Sequence, residues 1–239
     1  VALRNGFSGR SGGVLPLTWE PKYREPFGPY GTEVEFVTAG DEAELERAIN
    51  DRTAAILLEP IQGESGIRPL SHDYLRLARR LTKEHGALLM FDEIQTGVGR
   101  TGTFLASEPA GVEPDLVTLA KGLGSGVPIG ATLMTEAVAK AMPKGGHGTT
   151  FGGNPLAAAA GLTVLTALQD EGLITASKVS TGRRGRPPLV YYPVDSPEVS
   201  PVVQERLERI EERRELLERA IGQRAGLEAE VAEQLDVLY

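Results

Sequence analysis

The sequence has 239 residues, of which 41% are hydrophobic and 24% charged, the composition of an ordinary folded protein. It contains no cysteine, which excludes disulfides, thiolate metal sites and cysteine nucleophiles, and His72, His85 and His147 are too scattered for a usual zinc site. A net charge of −8 argues against nucleic-acid binding by the whole surface; with no apolar run of the roughly 18 residues a membrane helix needs and no signal-like stretch after Val1, a cytoplasmic protein without membrane contact is expected.

In chain order, Asp41 to Asn50 has helical spacing, with Leu45 and Ile49 on one face. Thr53 to Glu59 (TAAILLE) is a continuous apolar run ending at an acid and a proline. Ser71 is placed to cap a helix running to about His85, with Leu75, Leu77, Ala78 and Leu81 as its buried side and Gly86 as its stop. Ala87 to Phe91 is a second apolar run, ending at Asp92-Glu93; Leu116 to Ala120 is a third, ending at Lys121; Ile129 to Thr135 is a fourth. Short runs that are apolar on both faces and separated by helices predict parallel strands covered on both sides, an α/β domain. Its ligand site is expected at the carboxyl ends of the strands.

From about Gly172 the character changes. Residues 173–194 read as two short extended segments around a basic turn, GRRGRPP, and residues 197–239 as one or two charged amphipathic helices. Leu207, Ile210, Leu217, Ile221, Val231, Leu235 and Leu238 fit a partial heptad, interrupted by Arg214, Arg224 and Glu228. The expected organisation is therefore a domain over residues 1–170, a basic hairpin over 171–196 and a helical segment over 197–239.

GVGRTG, Gly97 to Gly102, fits the dinucleotide pattern G-x-G-x-x-G. Four residues separate it from the preceding strand and no helical periodicity follows, so nucleotide binding is not expected there. A pair of strand ends carries more chemistry. Asp92 closes one buried run and Lys121 closes another, and parallel strands would bring both to one sheet edge. A lysine that forms a Schiff base needs a buried or electropositive setting, and pyridoxal phosphate needs an acid at its pyridine nitrogen. Gly122, Gly124 and Gly126 would let backbone approach a flat ring closely. On spacing alone, the competing explanation is that strand ends are wet and attract charged residues.

The surrounding segments FDEIQTGVGRTG, PDLVTLAKGLGSGVPIGA and GGHGTTFGGNPLA resemble the class III aminotransferases, pyridoxal-phosphate enzymes of fold type I. RNGFSGR, LTWEPKYREPFGP and EPIQGE narrow the resemblance to members acting on acetylornithine or on lysine held by an amino-group carrier protein. It covers about residues 1–168. The resemblance implies that Lys121 carries the cofactor and is catalytic, that Asp92 meets the pyridine nitrogen, that Gln95 lies near the ring hydroxyl and that Phe7 stacks on the ring. It implies that Arg10 holds the substrate carboxylate, for which a guanidinium is suited, and that Glu64 is a gate carboxylate. Thr150 would reach the cofactor phosphate of a neighbouring subunit, which implies a homodimer. The implied reaction moves the donor's terminal amino group to 2-oxoglutarate, in arginine or lysine biosynthesis. Members of the family also have a Ser-Gly-Thr phosphate cup that would fall before Val1, and a C-terminal domain that residues after 170 do not resemble. Weak cofactor affinity and little turnover are the resulting expectations for these 239 residues.

The segment LTALQDEGLITASKVSTGRRGRPPLVYYPV resembles the end of a winged-helix transcriptional regulator. Lys178, Arg183, Arg184 and Arg186 make it locally basic, and RGRP matches an AT-hook core. Contact of Arg183, Arg184 and Arg186 with DNA, and so a DNA-binding regulator, is the alternative reading of function. A solvated basic hairpin explains the same residues, and the following helices fit either a coiled coil or packing against their own chain.

Overall fold

The computed structural model describes residues 1–143, 145–178 and 189–193. In chain order the elements are β1 (Ala2–Leu3), α1 (Pro21–Arg24), β2 (Phe36–Val37), α2 (Glu42–Ala48), β3 (Ala55–Leu58), β4 (Ile61–Gln62), β5 (Arg68–Pro69), α3 (His72–Glu84), β6 (Leu88–Asp92), β7 (Leu116–Leu119), β8 (Ala131–Met134), α4 (Glu136–Ala141), α5 (Pro155–Asp170), β9 (Ile174–Lys178) and β10 (Leu189–Pro193). Six strands form one sheet in the order β2-β1-β3-β6-β7-β8. The first five pair in parallel. β8 returns antiparallel to β7, so the fourth apolar run is a strand whose direction its composition did not reveal.

The helix ends follow local chemistry. Asp41 accepts the Glu44 amide at 2.8 Å and Ser71 accepts the Tyr74 amide at 3.1 Å, each supplying a partner to an orphan N–H of the first turn. Gly86, at φ 67°, ends α3 in the left-handed region where a glycine is easily accommodated. The buried face of α3 is Tyr74, Leu75, Ala78, Leu81 and Thr82; Leu77 is only partly buried and packs at the margin of the core.

Burial alternates along β3, β6 and β7. Ile56, Leu58, Leu89, Phe91, Val117 and Leu119 join the buried faces of α2 and α3 in one core. Ala55, Leu57, Leu88, Met90 and Leu116, on the opposite face, are half-buried. The second face is the one that carries Asp92 and Thr118, because side chains alternate and these two are register partners. Arg79 ties α3 to the start of β7 through Asp115 at 2.8 Å, and the same carboxylate accepts the Leu89 amide at 2.8 Å.

Beyond α5, β9 and β10 form an antiparallel pair with Ile174 opposite Pro193, and β9 packs beside α5. This pair belongs to the compact unit Val1–Pro193. Arg183, Arg184, Arg186 and the expected heptad after Leu207 lie outside the described residues, as do the winged-helix and coiled-coil readings built on them. Among the described residues no helix is long and apolar enough to cross a membrane, and no cluster of three or more acidic or histidine side chains could hold a metal ion.

Phe91 has no exposed surface and stands in the central strand of the core. Phe91→Ala is expected to lower stability by about 3–5 kcal/mol, read from urea denaturation; a loss under about 1 kcal/mol would show that this core repacks around the gap.

Candidate active site at the carboxyl edge of the sheet

The parallel register sets the site. Phe91 pairs with Leu58 and Asp92 with Thr118, so Glu59, Asp92 and the segment Ala120-Lys121 leave adjacent strands at one edge. A groove of about 600 Å³ opens there, lined by Arg100, Lys121, Gly122, Ser125 and Val127 among others. A second cavity, about 530 Å³, lies at the amino ends of the strands beside Val1, Arg52 and Ala54 and contains none of the candidate site residues.

Asp92 is buried at 7% exposure. Its Oδ1 accepts the Ile94 amide at 3.1 Å. The Thr118 hydroxyl lies alongside, outside strict hydrogen-bond geometry. Burial pushes the Asp92 carboxyl up, against the opposing effects of the Ile94 amide, Thr118 and the nearby Lys121 charge. Lys121 is exposed and begins a single turn of 3-10 helix. Its φ is 39°, a left-handed conformation that costs a residue with a Cβ and is often found where a side chain must be aimed.

Glu93 faces away from Asp92 and is fully buried. It accepts from the Thr96 hydroxyl, from the Ala106 amide at 3.1 Å and from the Ser107 amide at 2.9 Å. Three donors satisfy the buried charge and clamp the loop that follows β6. That loop contains GVGRTG, which forms successive turns and does not open a helix, the context the dinucleotide pattern requires. Gly97 is required by packing: a Cβ there would come within 2.8 Å of Leu119 and 2.9 Å of the Glu93 carbonyl.

The glycines after Lys121 have a different explanation from the one their spacing suggested. A Cβ on Gly124 would lie 2.0 Å from the Val127 carbonyl, and Gly126 has φ 110°. Both serve the turn itself, while Gly122 would tolerate a Cβ at ordinary contact distance.

On the other side of the edge, Phe7 leaves β1 with its amide bonded to Glu59 at 2.8 Å. Phe7 packs edge-on to Tyr23 with ring centroids 6.3 Å apart, and the Arg10 guanidinium lies 4.7 Å from the centroid of the Tyr23 ring. Phe7, Tyr23 and Glu64 line a smaller pocket of about 160 Å³ with Thr18, Trp19 and Ser65 among its other walls. Gln95 is exposed, yet its amide rests directly over Gly63, whose added Cβ would meet Oε1 at 2.1 Å. The structure therefore assembles Lys121 with Asp92, Gln95 with the Gly63-Glu64 turn, and Phe7 with Arg10 through Tyr23. Thr150 stands apart, exposed in the turn before α5.

Glu59, Glu93 and Tyr23 are the contributors that sequence reasoning missed. For Glu59 a signal existed: it closes the β3 run as Asp92 closes β6. Burial raises the Glu59 pKa from 4.5 to about 7, with Asp92 adding to the rise and the Phe7 and Gly63 amides and Lys121 opposing it. A folded-state value above the unfolded one stabilises the fold most below about pH 4.5, and that contribution is lost as pH rises through about 7. The shift corresponds to roughly 3 kcal/mol at most, or some 5–10 °C in Tm for this size. We expect the Tm difference, Glu59→Gln minus wild type, to become more positive by several degrees between pH 4.5 and pH 8. A pH-independent difference would show that Glu59 titrates normally.

Comparison with known proteins is in keeping with this geometry. The family model described as aminotransferase class-III matches residues 1–182. The chain is 55% identical over 175 residues to the [LysW]-aminoadipate semialdehyde transaminase of Deinococcus radiodurans, covering 72% of this chain and 41% of that protein. It is 51% identical over 178 residues to the acetylornithine aminotransferase of Methanopyrus kandleri, covering 74% and 46% respectively. Among solved structures it resembles the ornithine aminotransferase of Toxoplasma gondii, with a TM-score of 0.67 and 37% identity over 72% of this chain and 41% of that one; that structure shows partial occupancy of PLP at its active site. The chain thus spans less than half the length of these relatives.

Proposed function

The chain belongs to the class III aminotransferases, and we propose that it serves a pyridoxal-phosphate-dependent transfer of a terminal amino group from an acetylornithine-like or carrier-bound lysine donor to 2-oxoglutarate. The observation that carries the proposal is the convergence of Asp92 and Lys121 at the carboxyl ends of adjacent parallel strands. The residues fit the cofactor. A buried carboxyl with a single backbone donor and a raised pKa is short of positive charge, and a pyridinium nitrogen provides it. When bound, pyridoxal phosphate supplies an electron sink for the bond broken at the amine-bearing carbon.

The remaining chemistry is assigned to the chain's own groups. Asp92, held by the Ile94 amide, would meet the ring nitrogen of the cofactor. Lys121 Nζ holds the cofactor, then takes the proton from the donor carbon as a base and returns it as an acid. Phe7 would cover one face of the ring and Gln95 would stand near its hydroxyl. Arg10, flanked by Tyr23, receives the substrate carboxylate through a charge-assisted pair. Glu64, exposed at the pocket mouth, gates the exchange between donor and 2-oxoglutarate. A cytoplasmic homodimer, in which Thr150 reaches the neighbouring subunit's phosphate, is part of the same proposal. Its support is an exposed apolar surface near that turn: Phe151 is 81% exposed, Leu156 73% and Leu162 52%.

Incubation with pyridoxal phosphate followed by borohydride should leave a pyridoxyl group on Lys121, located by mass spectrometry. Modification of another lysine with Lys121 unlabelled would remove the assignment. Lys121→Ala should abolish the visible absorbance of the bound cofactor. Arg10→Ala should keep that absorbance while raising KM for the carboxylate substrates about 10- to 100-fold, the cost of one charged hydrogen-bonded pair.

A further inference from the structure

Glu59 has no part in the chemistry assigned above, yet it sits where two loops of the site meet. One carboxylate oxygen accepts the Phe7 amide at 2.8 Å and the other accepts the Gly63 amide at 3.4 Å. Phe7 stands in the loop after β1, and Gly63 immediately precedes Glu64 after β4. Phe7 and Glu59 are 52 residues apart in sequence, and the two segments are drawn close enough that a Cβ on Gly6 would meet Glu59 Oε1 at 3.5 Å and Gln62 Nε2 at 3.8 Å. Gln62, 1% exposed, adds a parallel tie by donating from Nε2 to the Arg4 carbonyl at 2.8 Å.

We propose that Glu59 is a positioning residue of this active site, which fixes the backbone carrying Phe7 against the backbone carrying Glu64 by accepting one amide from each. The proposal rests on the reading that Phe7 and Glu64 face cofactor and substrate. The hold depends on the carboxylate form, because two oxygens must both accept and a protonated carboxyl has surrendered part of that capacity. Charged side chains acting on Glu59 are Asp92 at the end of β6, which disfavours its charge, and Lys121 after β7, which favours it; from the β1 side it meets the Phe7 amide. With its pKa near 7, Glu59 grips the two loops above that pH and loosens them below it. This direction is opposite to its effect on global stability, and a residue that merely fills space would not separate the two.

Hydrogen exchange on the full 239-residue chain without cofactor tests this, corrected for intrinsic rates at pH 6 and pH 8. In the wild type, segments containing Phe7 and Gly63 should be protected at pH 8 and lose about tenfold of that protection at pH 6, while β6, whose protection follows global stability, loses none. In Glu59→Gln, whose amide offers one acceptor where the carboxylate offers two, exchange at one or both segments should rise about tenfold at pH 8 and become insensitive to pH. Equal exchange in the two proteins at pH 8 would overturn the proposal, and so would an increase shared by β6. The wild-type pH dependence alone decides the matter if the variant does not fold, and its absence would also overturn it. Failure of pyridoxyl labelling at Lys121 would remove the functional reading and leave the exchange result untouched, so the two can fail separately.

Discussion

The parallel pairing of β6 with β7 is the constraint on which the site depends. Two parallel strands in register carry their ends to the same edge, and the residue types at those ends then decide what the edge can do. Here the ends are an acid with too little compensation and a lysine on a strained backbone. Neither property is local. Asp92 is short of partners because it is buried at the end of a central strand with the Ile94 amide as its hydrogen-bond donor. Lys121 takes its left-handed conformation at the start of the connection, residues 120–130, through which the chain leaves β7 and returns antiparallel as β8.

Adjacent acids in this edge divide the labour. Glu93 is as buried as a side chain can be and fully provided with donors, so it acts as a rigid fastening for the loop behind the site. Asp92 and Glu59 are less well provided, and burial raises both. An unpaired or underpaired buried carboxyl works against folding. Two carboxyls raised by burial at one edge mark a place where the fold tolerates local cost, as binding sites commonly do.

Much of this was legible in the residues. Strand runs, the Ser71 cap, the Gly86 stop and the two charged strand ends all follow from periodicity and turn chemistry that act over a few residues. The direction of β8 was not legible, because an apolar run looks alike read either way in a sheet. The role of Glu59 was hidden for another reason: its partners are amides some fifty residues before it and four after it, and a backbone N–H leaves no trace in a sequence. Tyr23 was obscured in the same way, since a ring that joins Phe7 to Arg10 looks like any aromatic in a polar loop. Gly124 and Gly126 after Lys121 were visible, but the requirement the structure shows at them comes from the loop closing on itself, which spacing does not reveal.

Gln95 lying over Gly63 has a consequence for how such chains can vary. The atom that a methyl group at position 63 would strike is the far end of a flexible side chain, not fixed backbone. Alanine there would leave the fold standing and expel the Gln95 amide from its place, so a change at 63 would behave as though position 95 had been altered. The two positions form one unit of inheritance: a relative that bears a larger residue at the first is expected to bear a shorter or differently placed one at the second.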